Sequence, residues 1–295
     1  MKRLAELHSK HCQDKVLGAE GSLRKKSQTH QDDDETGGTC RGGQKEHAWK
    51  MTNLELKPGE KLRIGYVSAD FVNHPTADLM QSALLLHDMD KYEVFLYSIT
   101  RNDSSVYRKV LQREHGANFR VLPNAITDKK CAEMVAGDGI HILVNLNSHT
   151  AGERNGIFAF RPAPVQVVYL AFPGTHGATY IDYNVVDKTV VPSHNRQYFS
   201  ESLVYMPHCY QTNSYRDVYP EILDPQNLPS RASHGLPEDA IVFCTFNRLG
   251  RITPEVFACW IRILEKVPNS VIWLYRHPTF AVLRCDGAYP SQCCI

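Results

Sequence analysis

The sequence predicts an α/β protein built on doubly wound parallel sheets, and three observations support this fold class. Several short runs rich in Val, Ile, Tyr and Phe are continuously apolar rather than alternating, as strands buried on both faces are. Segments with helical patterning separate these runs, and strands that alternate with helices are typical of βα units. A proline-containing stretch then separates a long first block from a short second one.

The first block supplies five strands and three helices in alternation. The expected strands are, in order, "LRIGYVS", "YEVFLYSI", "ANFRVL", "HILVNLN" and "VQVVYLAF". The expected helices are Thr76 to His87, roughly Ser104 to Gly116, and Thr127 to Val135. This pattern predicts one nearly complete Rossmann-like sheet.

The second block supplies only a strand, a helix and another strand. The strand is expected from Ile241 to Phe246, the helix from about Pro254 to Lys266, and the last strand from Val271 to Tyr275. Thr253 is a suitable N-cap, and proline suits the first helical position. Such a block is too short to complete a sheet that stands alone, so we expect a partial second lobe.

The organisation along the chain follows from these patterns. Residues up to about 55 are rich in Lys, Gln, His, Asp and Gly, a composition too polar to order itself. The expected divisions are a disordered arm (1–55), a first lobe (60–215), a linker (216–235), a partial second lobe (236–277) and an unassigned tail (278–295).

Composition argues against several functional classes. The net charge is +1, so no broad surface for nucleic acid or acidic membranes is expected. The start lacks the apolar core of a secretory signal, and no segment has the roughly 18 consecutive apolar residues of a membrane span. The cysteine-rich end has no neighbouring histidine pair, so a zinc site is not expected. We expect a cytoplasmic or nuclear protein without a metal or cofactor.

Polar loops follow four of the expected strands. In open α/β sheets, ligands bind outside the carboxyl ends of the strands, so these loops are the candidate site. They comprise residues 68–74, 145–152, 173–177 and 247–251.

The first two loops carry the side chains best suited to chemistry. His74 is an imidazole that exchanges protons near neutral pH; the alternative is a histidine that only hydrogen-bonds the start of the helix or its own loop. Asn147 and Thr150 suit sugar hydroxyls or a diphosphate, yet both are also common in turns.

The other two loops are candidates for binding phosphate. The "PGTHG" run, which includes Pro173, Gly174 and Thr175, has glycines that expose backbone N–H groups, or it is an ordinary loop. Arg248 and Arg251 lie three residues apart after a strand, where guanidinium groups fit a diphosphate; the alternative is solvated surface charge.

Taken together, these stretches resemble a known enzyme family. "LRIGYVSADFVNHPTADLMQS", the long run from "DGIHILVNLNSHTAG" to "PGTHGATYIDY", "YMPH" and "GLPEDAIVFCTFNRLGRITPEVFACWIRILEKVPNSVIWLYR" occur in the family's order over residues 60–277. They are similar to the catalytic region of eukaryotic protein O-linked N-acetylglucosamine transferases (glycosyltransferase family 41). The direct passage from "YMPH" to "GLPED" resembles plant and protist members without an insert between the lobes.

The resemblance implies a GT-B-like fold, with a largely complete first Rossmann-like lobe and a partial second one. It implies inverting, metal-independent transfer of N-acetylglucosamine from UDP-N-acetylglucosamine to Ser or Thr hydroxyls of intracellular proteins. A related plant branch transfers fucose, so that donor is an alternative. The other alternative is a truncated, catalytically silent fragment or binding module, because the family's "HTTG" segment and its helical repeats are not in this sequence.

The resemblance also assigns roles to single residues. His74 is the family's active-site histidine, as base or as organiser of the acceptor; Asn147 and Thr150 line the sugar and acceptor region. Pro173, Gly174 and Thr175 lie beside the donor. Arg251 stands where the family has a lysine that neutralises the leaving diphosphate, and Arg248 replaces a nucleotide-contacting glutamine. His149 and Gly250 stand where the family has a tyrosine and an aromatic residue.

Overall fold

The computed structural model describes residues 56–275 and 293–294. The chain divides into two compact units between Tyr219 and Pro220, within the linker expected at 216–235. The arm expected at 1–55 lies outside the described residues, as does the tail expected at 278–295 apart from the pair 293–294. Each unit is treated separately below.

The first unit contains a sheet of seven strands, all of them parallel, in the order β3-β2-β1-β4-β5-β6-β7. The strands are β1 (Leu62–Ser68), β2 (Tyr92–Ser98), β3 (Phe119–Val121), β4 (Ile142–Asn145), β5 (Val165–Val168), β6 (Tyr183–Val186) and β7 (Ser202–Tyr205). The predicted fold class and its five predicted strands are confirmed.

Helices connect several strands of this sheet, and one helix follows its last strand. The connecting helices are α1 (Pro75–Leu85), α2 (Val106–His115), α3 (Asp128–Gly137) and α4 (Asn155–Ala159), and α5 (Tyr215–Val218) follows β7. The three longest each begin at a side chain that accepts a backbone N–H bond: His74, Ser105 and Thr127. These caps explain why each helix begins where it does, because the first N–H groups of a helix have no partner within it.

Both faces of the sheet are buried, which explains the continuously apolar strands. In β2, Val94 and Leu96 pack into one apolar cluster, while Phe95 and Tyr97 pack into the other. All four are at most 5% exposed. A strand residue and its successor point to opposite faces, so only a sheet covered on both sides requires such a run.

The strands β6 and β7 were missed by the sequence analysis. Each has four residues. The exposed Tyr183 begins β6, and the polar Ser202 begins β7. In β7, exposed and half-buried residues alternate, since this strand lies at the edge of the sheet. So short and mixed a pattern does not stand out from loop sequence.

The second unit is a small βαβ arrangement with three parallel strands in the order β10-β9-β8. Its elements are β8 (Ile241–Thr245), α6 (Pro254–Lys266), β9 (Ser270–Leu274) and the two-residue β10 (Cys293–Cys294). The helix has the predicted bounds, with Thr253 as its N-cap and Pro254 as its first residue. Its buried core is small and consists of Leu264, Ile272 and Leu274.

An apolar cavity of about 220 Å³ lies between β8 and α6 of this unit. Its lining includes Phe243, Trp260 and Ile263. It lacks the charged groups of the predicted diphosphate site. Among the described residues, no helix is both long and apolar enough to traverse a lipid bilayer.

We expect a buried histidine of the first unit to make stability fall at acid pH. His141 is 1% exposed, its Nδ1 accepts the Arg63 N–H at 3.0 Å, and burial lowers its pKa. An unfolded histidine takes up a proton near pH 6.5, so just below that pH the unfolded chain binds more protons than the folded one. The free energy of unfolding should then decrease as the pH falls, by up to about 1.4 kcal/mol per pH unit.

Urea unfolding between about pH 7 and pH 5 tests this expectation against two variants. His141→Asn keeps an acceptor for the Arg63 N–H but cannot titrate, so its slope should be shallower than that of the unmodified chain. His194 is exposed, and His194→Asn should leave the slope unchanged. Equal slopes in all three proteins would contradict the assignment to His141.

Candidate functional site

The candidate site lies at the carboxyl edge of the seven-stranded sheet. Because all strands are parallel, the loops after β1, β4 and β5 leave the sheet at the same edge. The strands β1 and β4 are neighbours in the sheet, and β5 lies beside β4. The sheet therefore brings together the loops that were separated by up to a hundred residues in sequence.

His74 caps α1 from this edge. Its backbone is extended, and its Nδ1 accepts the backbone N–H of Thr76 at 3.2 Å. The side chain is nevertheless 47% exposed, and Nδ1 lies 3.6 Å from Oδ1 of Asp70. His74 is therefore both a helix cap and an accessible imidazole, because the capping bond uses one ring nitrogen and leaves the other side of the ring accessible.

Asn147 joins the loop after β4 to the loop after β1. Its Oδ1 accepts the N–H of Ala69 at 2.7 Å, and its Nδ2 donates to Oδ2 of Asp70 at 3.0 Å. The orientation of the amide is fixed, since a backbone N–H requires an oxygen opposite it. The side chain is 2% exposed, so these bonds are shielded from water.

Thr150 belongs to the same network. Its hydroxyl accepts from Asn147 Nδ2 at 3.2 Å and donates to the Asn147 carbonyl at 2.9 Å. Three of the predicted residues, His74, Asn147 and Thr150, are therefore brought together by the fold.

The residue that unites this network, Asp70, was missed by the sequence analysis. Its carboxylate accepts from Asn147 and from the Thr76 hydroxyl, at 3.0 and 3.2 Å, and faces the His74 ring. It is largely buried, and together with burial its charge raises the pKa of Tyr107. The signal in the sequence was its position: a carboxylate two residues beyond a buried strand and four before His74.

The loop 173–177 is held by a second buried carboxylate, Glu201. The hydroxyl of Thr175 donates to Glu201 Oε2 at 2.7 Å, and Oε1 accepts the N–H groups of His176 and Gly177 at 2.5 and 3.2 Å. Glu201 is 3% exposed. The N–H groups of His176 and Gly177, which belong to the run expected to bind phosphate, are thus bonded to Glu201 in this structure.

Pro173 and Gly174 occupy the outer part of this loop. Pro173 is exposed, and the Gly174 carbonyl accepts from Asn184 Nδ2 at 3.0 Å. A Cβ on Gly174 would lie 3.0 Å from the Phe172 ring, which is tighter than ordinary contact. The small residue lets the loop turn back over that ring.

His149 links the two loops of the first unit. Its Nε2 donates to the His176 carbonyl at 2.8 Å, and the two imidazole rings lie 4.6 Å apart, centroid to centroid. The His149 ring also meets the Phe172 ring edge-on at 5.1 Å. His149 thus connects the loop of Asn147 with that of Thr175.

Arg248 and Arg251 lie in the second unit, in the turn after β8. The Arg251 N–H donates to the Arg248 carbonyl at 2.9 Å, which closes one turn of 3-10 helix. Both side chains are exposed, and neither forms an ion pair with any described residue. They form a pair of uncompensated cations on the carboxyl side of β8.

Comparison with known proteins shows that the chain matches the model of one protein family. The model named Glycosyl transferase family 41 matches residues 44–226 and 221–285. Among curated proteins, the probable UDP-N-acetylglucosamine–peptide N-acetylglucosaminyltransferase SEC of Arabidopsis thaliana is 45% identical over 239 residues, covering 79% of this chain and 24% of that protein. The corresponding transferase of Caenorhabditis elegans is 33% identical over 331 residues, covering 76% of this chain and 29% of the relative.

A solved structure agrees with these matches. A mutant of the Thermobaculum terrenum O-GlcNAc transferase superposes with a TM-score of 0.60 and 31% sequence identity. The superposition covers 78% of this chain and 42% of that one, and it confirms the predicted GT-B-like, α/β fold class. The chain spans about a quarter of the length of the curated relatives named above.

Proposed function

The chain belongs to glycosyl transferase family 41, and on this premise we propose that it transfers N-acetylglucosamine from UDP-N-acetylglucosamine to Ser or Thr hydroxyls of cytoplasmic or nuclear proteins. The reaction inverts the configuration at the anomeric carbon and uses no metal. The observation that carries the proposal is the network of Asp70, His74, Asn147 and Thr150 at the carboxyl edge of the first sheet.

In this proposal the network receives the sugar and the acceptor hydroxyl. Buried hydrogen bonds hold the Asn147 amide and the Thr150 hydroxyl in fixed positions, so little reorganisation is needed when a ligand arrives. His74 presents an accessible ring edge to the same region. Pro173, Gly174 and Thr175 border the donor.

The leaving diphosphate requires positive charge, which we assign to the second unit. Arg251 and Arg248 are exposed cations without an ion-pair partner in the part of the chain that the structure describes. A guanidinium stabilises a developing phosphate charge by paired hydrogen bonds, whereas an ammonium acts as a point charge. Arginine at 251 therefore keeps the charge of the lysine in the family pattern but not its point geometry.

Binding of UDP to the chain of residues 1–295 is the first test. Calorimetric titration should give a dissociation constant in roughly the micromolar range, weakened at least about tenfold in Arg251→Ala. Arg262 is exposed on α6 and supplies the matched control, because Arg262→Ala removes equal charge away from the turn. No heat at millimolar UDP would overturn the proposed enzyme.

Transfer of sugar is the second test. With radiolabelled UDP-N-acetylglucosamine and a Ser/Thr-rich acceptor protein, we expect label in the acceptor, and loss of that label in His74→Ala. Label from GDP-fucose alone would assign the fucosyl alternative. Binding of UDP with no transfer from either donor would favour a binding module, an alternative motivated by the 24% and 29% of its relatives that the chain covers.

A further inference from the structure

The capping bond at His74 determines which ring nitrogen carries the proton. We propose that neutral His74 is protonated at Nε2 and serves the site as a hydrogen-bond donor, rather than as the group that takes the proton of the acceptor hydroxyl. This inference rests on the proposed function and assigns a specific role to His74 within it.

The argument starts from the Thr76 backbone. A backbone N–H has one hydrogen with a fixed direction, and here it points to His74 Nδ1 at 3.2 Å. The nitrogen that accepts it must present a lone pair, so in the neutral ring the hydrogen resides on Nε2. The Thr76 hydroxyl lies 3.1 Å from Nδ1 and donates to Asp70 Oδ2 at 3.2 Å, so its oxygen could accept from an Nδ1–H. Such a hydrogen, however, would meet the Thr76 backbone N–H, which cannot rotate away, and this fixed donor decides for a lone pair on Nδ1.

A second proton would enter at Nδ1 and not at Nε2. It would break the capping bond and place a new N–H opposite Asp70 Oδ1, now 3.6 Å away. Proton uptake by His74 is thus coupled to loss of the α1 cap and occurs on the side facing Asp70. The exposed side of the ring remains an N–H donor in both protonation states.

The consequence for a bound acceptor follows directly. Within residues 56–275, Nε2 has no hydrogen-bond partner, and the side chain is 47% exposed. A hydroxyl that approaches Nε2 receives a hydrogen bond on its oxygen and cannot lose its proton to that nitrogen. His74 therefore orients the nucleophilic oxygen, and its proton leaves through another group.

The tautomer can be measured without any activity. Long-range ¹H–¹⁵N correlation spectra of the full chain labelled at histidine distinguish a protonated from an unprotonated ring nitrogen. At a pH where the ring is neutral, the signals that vanish in His74→Asn should show protonated Nε2 and unprotonated Nδ1. Protonated Nδ1 would overturn the proposal. If His74→Asn does not fold, His74→Gln makes the same assignment.

Two amide variants then separate donor from base by activity. Asparagine places its amide near Nδ1 and retains a helix cap, whereas glutamine reaches the position of Nε2 and retains a donor there. If His74 is a donor, His74→Gln should transfer sugar about tenfold faster than His74→Asn. If His74 is a base, the rate of sugar transfer should fall equally in both variants, by about a hundredfold or more.

The two proposals fail separately. Absence of transfer by the unmodified chain would overturn the proposed function, while the spectra alone would still decide the tautomer. Transfer combined with a protonated Nδ1, or with equal losses in both amide variants, would retain the function and reject the donor role.

Discussion

Glu201→Ala is expected to lower the free energy of unfolding of the first unit by about 3 to 5 kcal/mol. The carboxylate accepts three hydrogen bonds, from the Thr175 hydroxyl and from the N–H groups of His176 and Gly177. Alanine would remove this acceptor from the Thr175 hydroxyl and the His176 N–H in a place where water does not reach, since Glu201 is 3% exposed, whereas the Gly177 N–H would keep its bond to Thr175 Oγ1 at 3.1 Å. An unpaired buried donor costs about 1 to 3 kcal/mol.

Three further variants make the measurement specific. Thr175→Val removes one of the three donors and should cost less, about 1 to 2 kcal/mol. Glu201→Gln keeps an oxygen for the two N–H groups and should fall between these values. Glu114 is an exposed partner of Arg113, so Glu114→Ala should change stability by at most about 1 kcal/mol. Urea unfolding followed by circular dichroism compares them, and a Glu201→Ala effect no larger than that of Glu114→Ala would contradict the expectation.

Much of the first sheet could be predicted from the sequence, because strands buried on both faces require long apolar runs. "YEVFLYS" is such a run, and it forms β2 with two clusters on its two faces. Parallel strands in turn fix where loops emerge, so the meeting of His74, Asn147 and Thr150 followed from topology. The roles of these residues in binding and transfer stay predictions.

Asp70 and Glu201 could not be predicted as the groups that hold these loops. A carboxylate is found in turns and on surfaces far more often than buried, and only its partners distinguish the cases. The partners of Glu201 lie 24 to 26 residues earlier, and it precedes β7, a strand too short and mixed to recognise. The hydrogen-bond partners of Asp70 include Asn147, which lies 77 residues later in the sequence.

Asp70 and Glu201 are buried groups that support the candidate site, whereas the His74 ring is accessible. Asp70 accepts from Asn147 of the loop 145–152 and from the Thr76 hydroxyl in α1, and Glu201 accepts from three groups of the loop 173–177. Loops that are fixed by buried hydrogen bonds keep their geometry when a ligand binds, which is what preorganised binding requires. The exposed ring edge of His74 then remains free for the ligand.

Asn147→Asp is expected to destabilise the first unit by about 3 to 5 kcal/mol near pH 8, and by less as the pH is lowered. The substitution changes one atom, because Oδ1 can still accept the Ala69 N–H. The other oxygen, however, replaces an N–H donor 3.0 Å from the carboxylate of Asp70. Two buried like charges at this distance repel, so one carboxyl of the pair should have a raised pKa.

The pH dependence distinguishes repulsion from simple loss of a hydrogen bond. A raised pKa means that the folded state binds more protons than the unfolded state, so stability is present at low pH and is lost as the pH rises. As the pH rises from about 5 to about 8, the unfolding free energy of Asn147→Asp should therefore decrease relative to that of Asn147→Ala. The alanine variant removes the same bond without adding charge. Parallel pH profiles for the two variants would show that Asp70 is not ionised against Asn147. The network would then have to be held together by a neutral Asp70, which could not favour a charged His74 ring beside it.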